Sequence, residues 1–192
     1  MAFTDFETEQ IRKALLAETR RCAVTLGMRK TSVDQLTQAV GISKGSFYKF
    51  YDSKELLFFA VLEDIHTELY EVADRALHEH ERLSPAERVT AAILAVCKRM
   101  SETGAMAFIE NDAETLLRRL PEHVKAEHYH DDEAHVRALL EKNELIPRGG
   151  MELAAATVRG LILTVSHKAQ IGELYPQVLK TLVHGACTEL FS

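Results

Sequence analysis

Apolar positions recur with helical spacing through almost the whole chain. Ile11, Leu15, Cys22 and Leu26 fall at helical intervals, and Thr4 with Glu7 has the spacing of a capping box ahead of them. Gly27 reads as the stop of this helix. A short helix follows, opened by Ser32 and closed by Gly41, then a second from Ser43 to about Tyr51. Asp52-x-x-Glu55 has the form of a capping box for a long helix from near Ser53 to about His80, carrying Leu56, Leu57, Phe59, Ala60, Leu62 and Ile65. Ser84-Pro85-x-Glu87 combines an N-cap, a proline at the first helical position and a capping-box glutamate, so it starts another helix that Gly104 ends. Further helices are predicted over 105–119, from Pro121 to about Asn143, over 151–171 and over 176–191, with Pro147 and Gly149-Gly150 breaking the chain. No convincing alternating strand pattern and no internal repeat occurs. The pattern predicts an all-α protein of about nine helices. A three-helix N-terminal unit over 1–52 is expected to join a larger helical domain over 53–192.

Composition narrows the class. At 192 residues, 46% hydrophobic and 27% charged, the chain can bury a sizeable core and does not read as disordered. The first ten residues, MAFTDFETEQ, lack the apolar run of a secretory signal. The longest near-apolar stretch, from Leu153 to Val165, is interrupted by Arg159 and Gly160 and falls short of the roughly 20 residues that span a bilayer. Three widely separated cysteines, Cys22, Cys97 and Cys187, give neither a disulfide framework nor a metal knuckle. A cytoplasmic protein without a membrane partner is expected.

Charge changes the picture more. The net charge is −6, but residues 1–55 carry nine Lys/Arg against seven Asp/Glu, whereas residues 56–192 carry fourteen against twenty-two. A slightly basic unit on an acidic body can hold a polyanion at one end.

Residues 32–51 read SVDQLTQAVGISKGSFYKFY, two short helices joined at Gly41, the form of a helix-turn-helix. Leu36, Val40, Ile42, Phe47 and Phe50 are the positions that would pin the helices together and against the first helix. Thr37 stands at their closest approach, where a smaller residue is usual. With those positions buried, Ser43, Lys44, Gly45, Ser46, Tyr48 and Lys49 remain outside: hydroxyls, ammonium groups and a glycine, without an acid. That is the chemistry of a helix in a DNA major groove, its N-terminal end on base edges and its hydroxyls and lysines on phosphates. Thr31 and Ser32, at the start of the preceding helix, and Lys54, poorly placed for its own helix dipole, are further candidates for phosphate.

The run Gly27…Thr31-Ser32-Val33…Leu36…Gly41-Ile42-Ser43-Lys44-Gly45-Ser46-Phe47-Tyr48-Lys49-Phe50-Tyr51-x-Ser53-Lys54-Glu55-x-Leu57 resembles the DNA-binding region of the TetR family of bacterial transcriptional repressors. The resemblance covers about residues 8–58, a quarter of the chain. Tyr51 stands where the family often has Phe. The resemblance implies that Tyr48 and Lys54 touch phosphates and that Lys44, Ser46 and Lys49 lie at or near base edges. It also implies a C-terminal domain that binds a small effector and forms a homodimer through the last two helices, on a palindromic operator in double-stranded DNA. The effector would favour a conformation that does not fit DNA, with the fourth helix carrying the change.

The last two helices suit that role. Leu153, Ala154, Ala155, Ala156, Val158, Gly160, Leu161, Ile162 and Val165 cover more than one face, as do Leu179, Leu182, Val183, Ala186, Cys187, Leu190 and Phe191. A monomer with both helices in its core is the alternative.

Other constellations are weaker. In HVKAEHYHDDEAHV, His128, Asp131, Asp132 and His135 share a helical face, which admits either a solvated acidic surface or a metal ligand pair such as His128 with Asp132 completed from another helix. His128 and His135 lie about 10.5 Å apart along such a helix, too far to share one ion. No metal ligand and no cofactor is assigned. Cys97 reads as packing. Met100, Met106, Phe108, Ile109, Leu116 and Leu117 fit ordinary core or a ligand cavity. No catalytic motif is present, so no enzyme is expected. A DNA-binding architectural protein without an effector, a metal- or haem-responsive regulator and an α-helical enzyme are the alternative readings.

Overall fold

The computed structural model describes residues 3–164 and 168–192, without the side chains of residues 127, 129–132 and 169. Among them no strand occurs. Helix α1 (Asp5–Thr25) starts at the expected capping box: Thr4 Oγ accepts from the Glu7 N–H, and the Glu7 carboxylate accepts from the Thr4 N–H at 2.8 Å. It ends where Gly27 takes φ +79°, a left-handed conformation. Helix α2 (Val33–Val40) opens with a second box, Ser32 with Gln35, and closes on Gly41 at φ +77°. Helix α3 (Lys44–Phe47) is a single regular turn capped by Ser43. The expected continuation to Tyr51 is a looser turn, with Lys49 N–H on Ser46 O and Phe50 N–H on Phe47 O.

Helix α4 (Lys54–Glu79) is capped differently from the expectation. Ser53 Oγ accepts from the Leu56 N–H at 3.1 Å, and Glu55 turns away from Asp52 to pair with Arg119 at 3.2 Å. Helix α5 (Pro85–Thr103) begins at the predicted Ser84–Glu87 box. The predicted helix over 105–119 is interrupted: α6 (Ala105–Phe108), a π-turn (Ile109–Ala113) and α7 (Glu114–Arg119) follow one another. Helix α8 spans Glu122–Lys142 and α9 spans Met151–Leu163. The segment expected to continue α9 to 171 contains a separate turn, α10 (Lys168–Ile171), and a 3₁₀ turn (Gly172–Leu174) precedes α11 (Tyr175–Phe191). Val165 and the side chains of Asp131 and Asp132 lie outside the described residues.

The chain packs as two units. The first unit comprises Met1–His66 and Gly104–Pro121; the second comprises Thr67–Thr103 and Glu122–Ser192. In the first, Leu15, Cys22, Leu36, Phe47 and Leu57 form a buried cluster, with Ile11, Val33, Val40, Ile42, Phe50 and Tyr51 packed around it. All five predicted helix-turn-helix core positions are therefore in or against this cluster. Thr37 is accommodated because its hydroxyl donates to Asp34 O at 3.1 Å. The ring of Phe108 packs beside Phe58, centroids 6.0 Å apart, drawing the 104–121 segment into this unit. In the second unit α5 lies along α11, burying Val89, Val96, Val183, Cys187 and Leu190.

Candidate nucleic-acid interface

The site is what the head, α1 to α3, leaves outside its core. Phe47 is fully buried, which turns the remaining α3 residues outward. Ser43, Lys44, Gly45, Tyr48 and Lys49 are exposed and Ser46 is half-buried. Tyr48, 50% exposed, is held edge-on against the Phe47 ring at 5.2 Å, so its hydroxyl end is presented on a supported ring. A Cβ added at Gly45 would meet only Ser43 Oγ, at 3.9 Å. No neighbour within the chain requires glycine there, so its bare backbone is available to an approaching surface.

Several hydroxyls already have local work. Ser43 Oγ accepts from the Ser46 N–H at 3.1 Å and hydrogen-bonds Ser46 Oγ at 2.9 Å. Ser32 Oγ accepts from the Gln35 N–H and donates to Gln35 Oε1, while remaining exposed. Thr31, the other hydroxyl expected at a phosphate, is turned into the head. It is 2% exposed, and its hydroxyl donates to Gly27 O at 2.9 Å, inside the α1–α2 turn.

The lysines differ from one another. Lys49 is exposed at the end of the α3 turn. Lys44 Nζ donates to Asp34 Oδ2 at 2.9 Å, and that carboxylate holds the ammonium above the ordinary lysine range. Lys54 Nζ donates to Met28 O at 2.9 Å and Thr31 O at 2.8 Å, tying the turn between α1 and α2 to the start of α4. With three N–H donors, it keeps one beyond these two bonds. Sequence reasoning missed Asp34, an acid opposite the basic face, because it lies on α2, ten residues before its partner. It also passed over Arg29 and Lys30, exposed in the turn before α2, although the adjacent basic pair was visible.

The family profile described as bacterial regulatory proteins, tetR family, matches residues 15–61, which span this head and the start of α4. The HTH-type transcriptional repressor Rv1474c of Mycobacterium tuberculosis is 34% identical over 64 residues, 33% of this chain and 34% of that protein. The HTH-type transcriptional regulator YvaF of Bacillus subtilis is 34% identical over 88 residues, 46% of this chain and 45% of its own. The matches thus span a third to under half of those relatives. A TetR-family transcriptional regulator from Pectobacterium atrosepticum shares the fold, with a TM-score of 0.69 at 21% identity over 96% of this chain and 94% of its own. The head therefore matches the tetR profile, and the chain shares the fold of a TetR-family regulator.

In the second unit the described residues give less. Thr67, Tyr70, Asp74, His135, Leu139 and Lys142 line an open groove of about 280 Å³ between α4 and α8. The His135 ring stacks on Tyr70 at 4.7 Å, and Lys142 pairs with Asp74 at 2.8 Å. His128 is buried whereas His135 is exposed, so the two do not share one solvated face. Met100 in this unit, and Phe108 and Leu116 in the first, are buried in packing. Burial pushes the Cys97 thiol up to about 11 and raises Cys22 and Cys187 as well, so all three are protonated near neutrality. No helix among the described residues is long and apolar enough to cross a membrane.

Proposed function

We propose that this protein is a cytoplasmic, homodimeric, non-enzymatic transcriptional repressor that binds a palindromic operator and is released by a small effector. One observation carries the reading: a TetR-type core buries Phe47 and leaves Lys44, Gly45, Tyr48 and Lys49 outward on the recognition turn. Ser43 and Ser46 shape that turn, Tyr48 and Lys54 serve phosphates, and Lys44 and Lys49 serve base edges or the phosphates beside them. Ser32 adds a hydroxyl at the start of α2. Thr31 acts within the turn.

The dimer reading rests on α9 and α11. Each buries one face, through Ala154, Ala155 and Leu161 on α9 and Leu179, Val183 and Cys187 on α11. Each keeps apolar residues outside: Leu153 at 50%, Leu163 at 57% and Leu182 at 45% exposed. Their counterparts in a second subunit would cover them, and the two-fold axis would match an operator palindrome with half-sites about 34–36 Å or more apart. The effector acts by favouring a conformation that does not fit DNA.

The test is fluorescence anisotropy on DNA from upstream of the protein's own gene against a scrambled duplex, across a salt series. If Lys44, Lys49 and Lys54 each neutralise one phosphate per subunit, the log–log slope is about −5. Lys49→Ala should reduce discrimination between the duplexes, and Lys54→Ala should weaken both equally. Absence of binding at low salt would overturn the reading.

A further inference from the structure

The first unit holds a buried acid that the outward face does not use. Asp112, 4% exposed, lies in the π-turn Ile109–Ala113, and its Oδ2 accepts a 2.7 Å hydrogen bond from the Met28 backbone N–H. Met28 belongs to the turn between α1 and α2. Its side chain is fully buried, and its carbonyl accepts from Lys54 Nζ. Both backbone polar groups of one turn residue are thus held by side chains from later in the chain. Gly27 makes the room: a Cβ there would sit 2.9 Å from Asp112 Oδ2. Burying a carboxylate is costly unless it is hydrogen-bonded, and π-turns are rare and recur at functional positions. Core packing alone needs neither. The turn they grip leads directly into α2 and the recognition turn.

We infer that Asp112 is a positioning residue for DNA binding. Its carboxylate anchors the α1–α2 turn of the head to the 105–119 segment, and this anchor keeps the helix-turn-helix pre-organised for DNA. The inference rests on the DNA-binding reading above and deepens it. The anchor touches no DNA, so its loss removes pre-organisation and leaves the phosphate contacts, and with them the salt slope, intact.

The experiment begins with a duplex that the wild-type protein selects from a random pool. Asp112→Ala should lower affinity for that duplex about tenfold or more, the scale of a lost hydrogen bond to a charged group. The salt slope should stay that of wild type. Asp112→Asn, whose Oδ1 still accepts from Met28, should recover most of the loss. No loss with Asp112→Ala, or no recovery with Asp112→Asn, overturns the inference while leaving DNA binding established. If the wild type selects no duplex, the DNA-binding reading itself fails and this inference falls with it. Hydrogen exchange of the wild-type Met28 amide is the measurement that survives a variant unable to fold. Slow exchange supports the anchor, and exchange as fast as an exposed turn overturns it.

Discussion

The head and the α9–α11 pair are both helical, both rich in apolar residues, and opposite in what they show to the outside. The head puts Leu15, Leu36 and Phe47 wholly inside and displays lysines, serines and Tyr48. The α9–α11 pair fills its own core with Ala154, Val183 and Cys187 and still displays Leu153, Leu163 and Leu182. A polar exposed face with excess positive charge suits a hydrated polyanion, where strength comes from counterion release. An apolar exposed face suits another protein, where strength comes from removing area from water. The difference teaches that function here is carried by what each region fails to bury.

The largest expected effect breaks the head from within. Phe47→Ala removes the fully buried ring beneath the recognition turn and should destabilise the protein by about 3–5 kcal/mol in denaturant unfolding, abolishing DNA binding. Next, Leu182→Glu places a charge on the exposed face of α11 without touching its buried side. Sedimentation should show dimer turning to monomer while the far-UV circular dichroism of each subunit is retained; an unchanged mass would break the contrast between the regions. A smaller change sharpens the polar half of the comparison. Asp34→Asn releases Lys44 from its carboxylate and should tighten binding to every duplex a few-fold, with a steeper salt slope. A weaker or unchanged affinity would mean that Asp34 orients Lys44 usefully.

The smallest effect concerns neither surface. Hydrogen bonds from Ser84 hold the Glu87 carboxyl below the ordinary carboxylate range. A lowered folded pKa means that this contribution is complete above the ordinary range and is lost as pH falls through the lowered value. Ser84→Ala should therefore lower the melting temperature by about 2–4 °C at neutral pH, and the gap should narrow in acid. A gap independent of pH would assign the loss to the Ser84 cap alone.

Most of the head was legible because its signals are local. The capping box at Thr4, the helix opening at Ser32, the left-handed Gly41 and the five core positions of the helix-turn-helix each depend on residues a few places apart. Errors came where a nearby partner was replaced by a distant one. Glu55 was expected to cap with Asp52 and pairs with Arg119. Thr31 likewise has a distant partner that its neighbours do not announce: its carbonyl is held by Lys54. Asp112 was overlooked although it falls on the same helical stripe as Ala105, Phe108 and Leu116. An acid in an apolar stripe is a readable sign of a buried polar partner.

By itself the sequence determined the helical class, most helix starts and stops, and which α3 residues face outward. Periodicity, capping and glycine conformation act over three or four residues and need no fold to operate. Only the tertiary structure decided that residues 104–121 join the N-terminal unit, that the 105–119 helix opens into a π-turn, and that Asp112 reaches Met28. Those outcomes depend on which surfaces meet across 84 residues of chain. Hydrogen bonding and burial then select a partner by position in space, which local patterning does not encode.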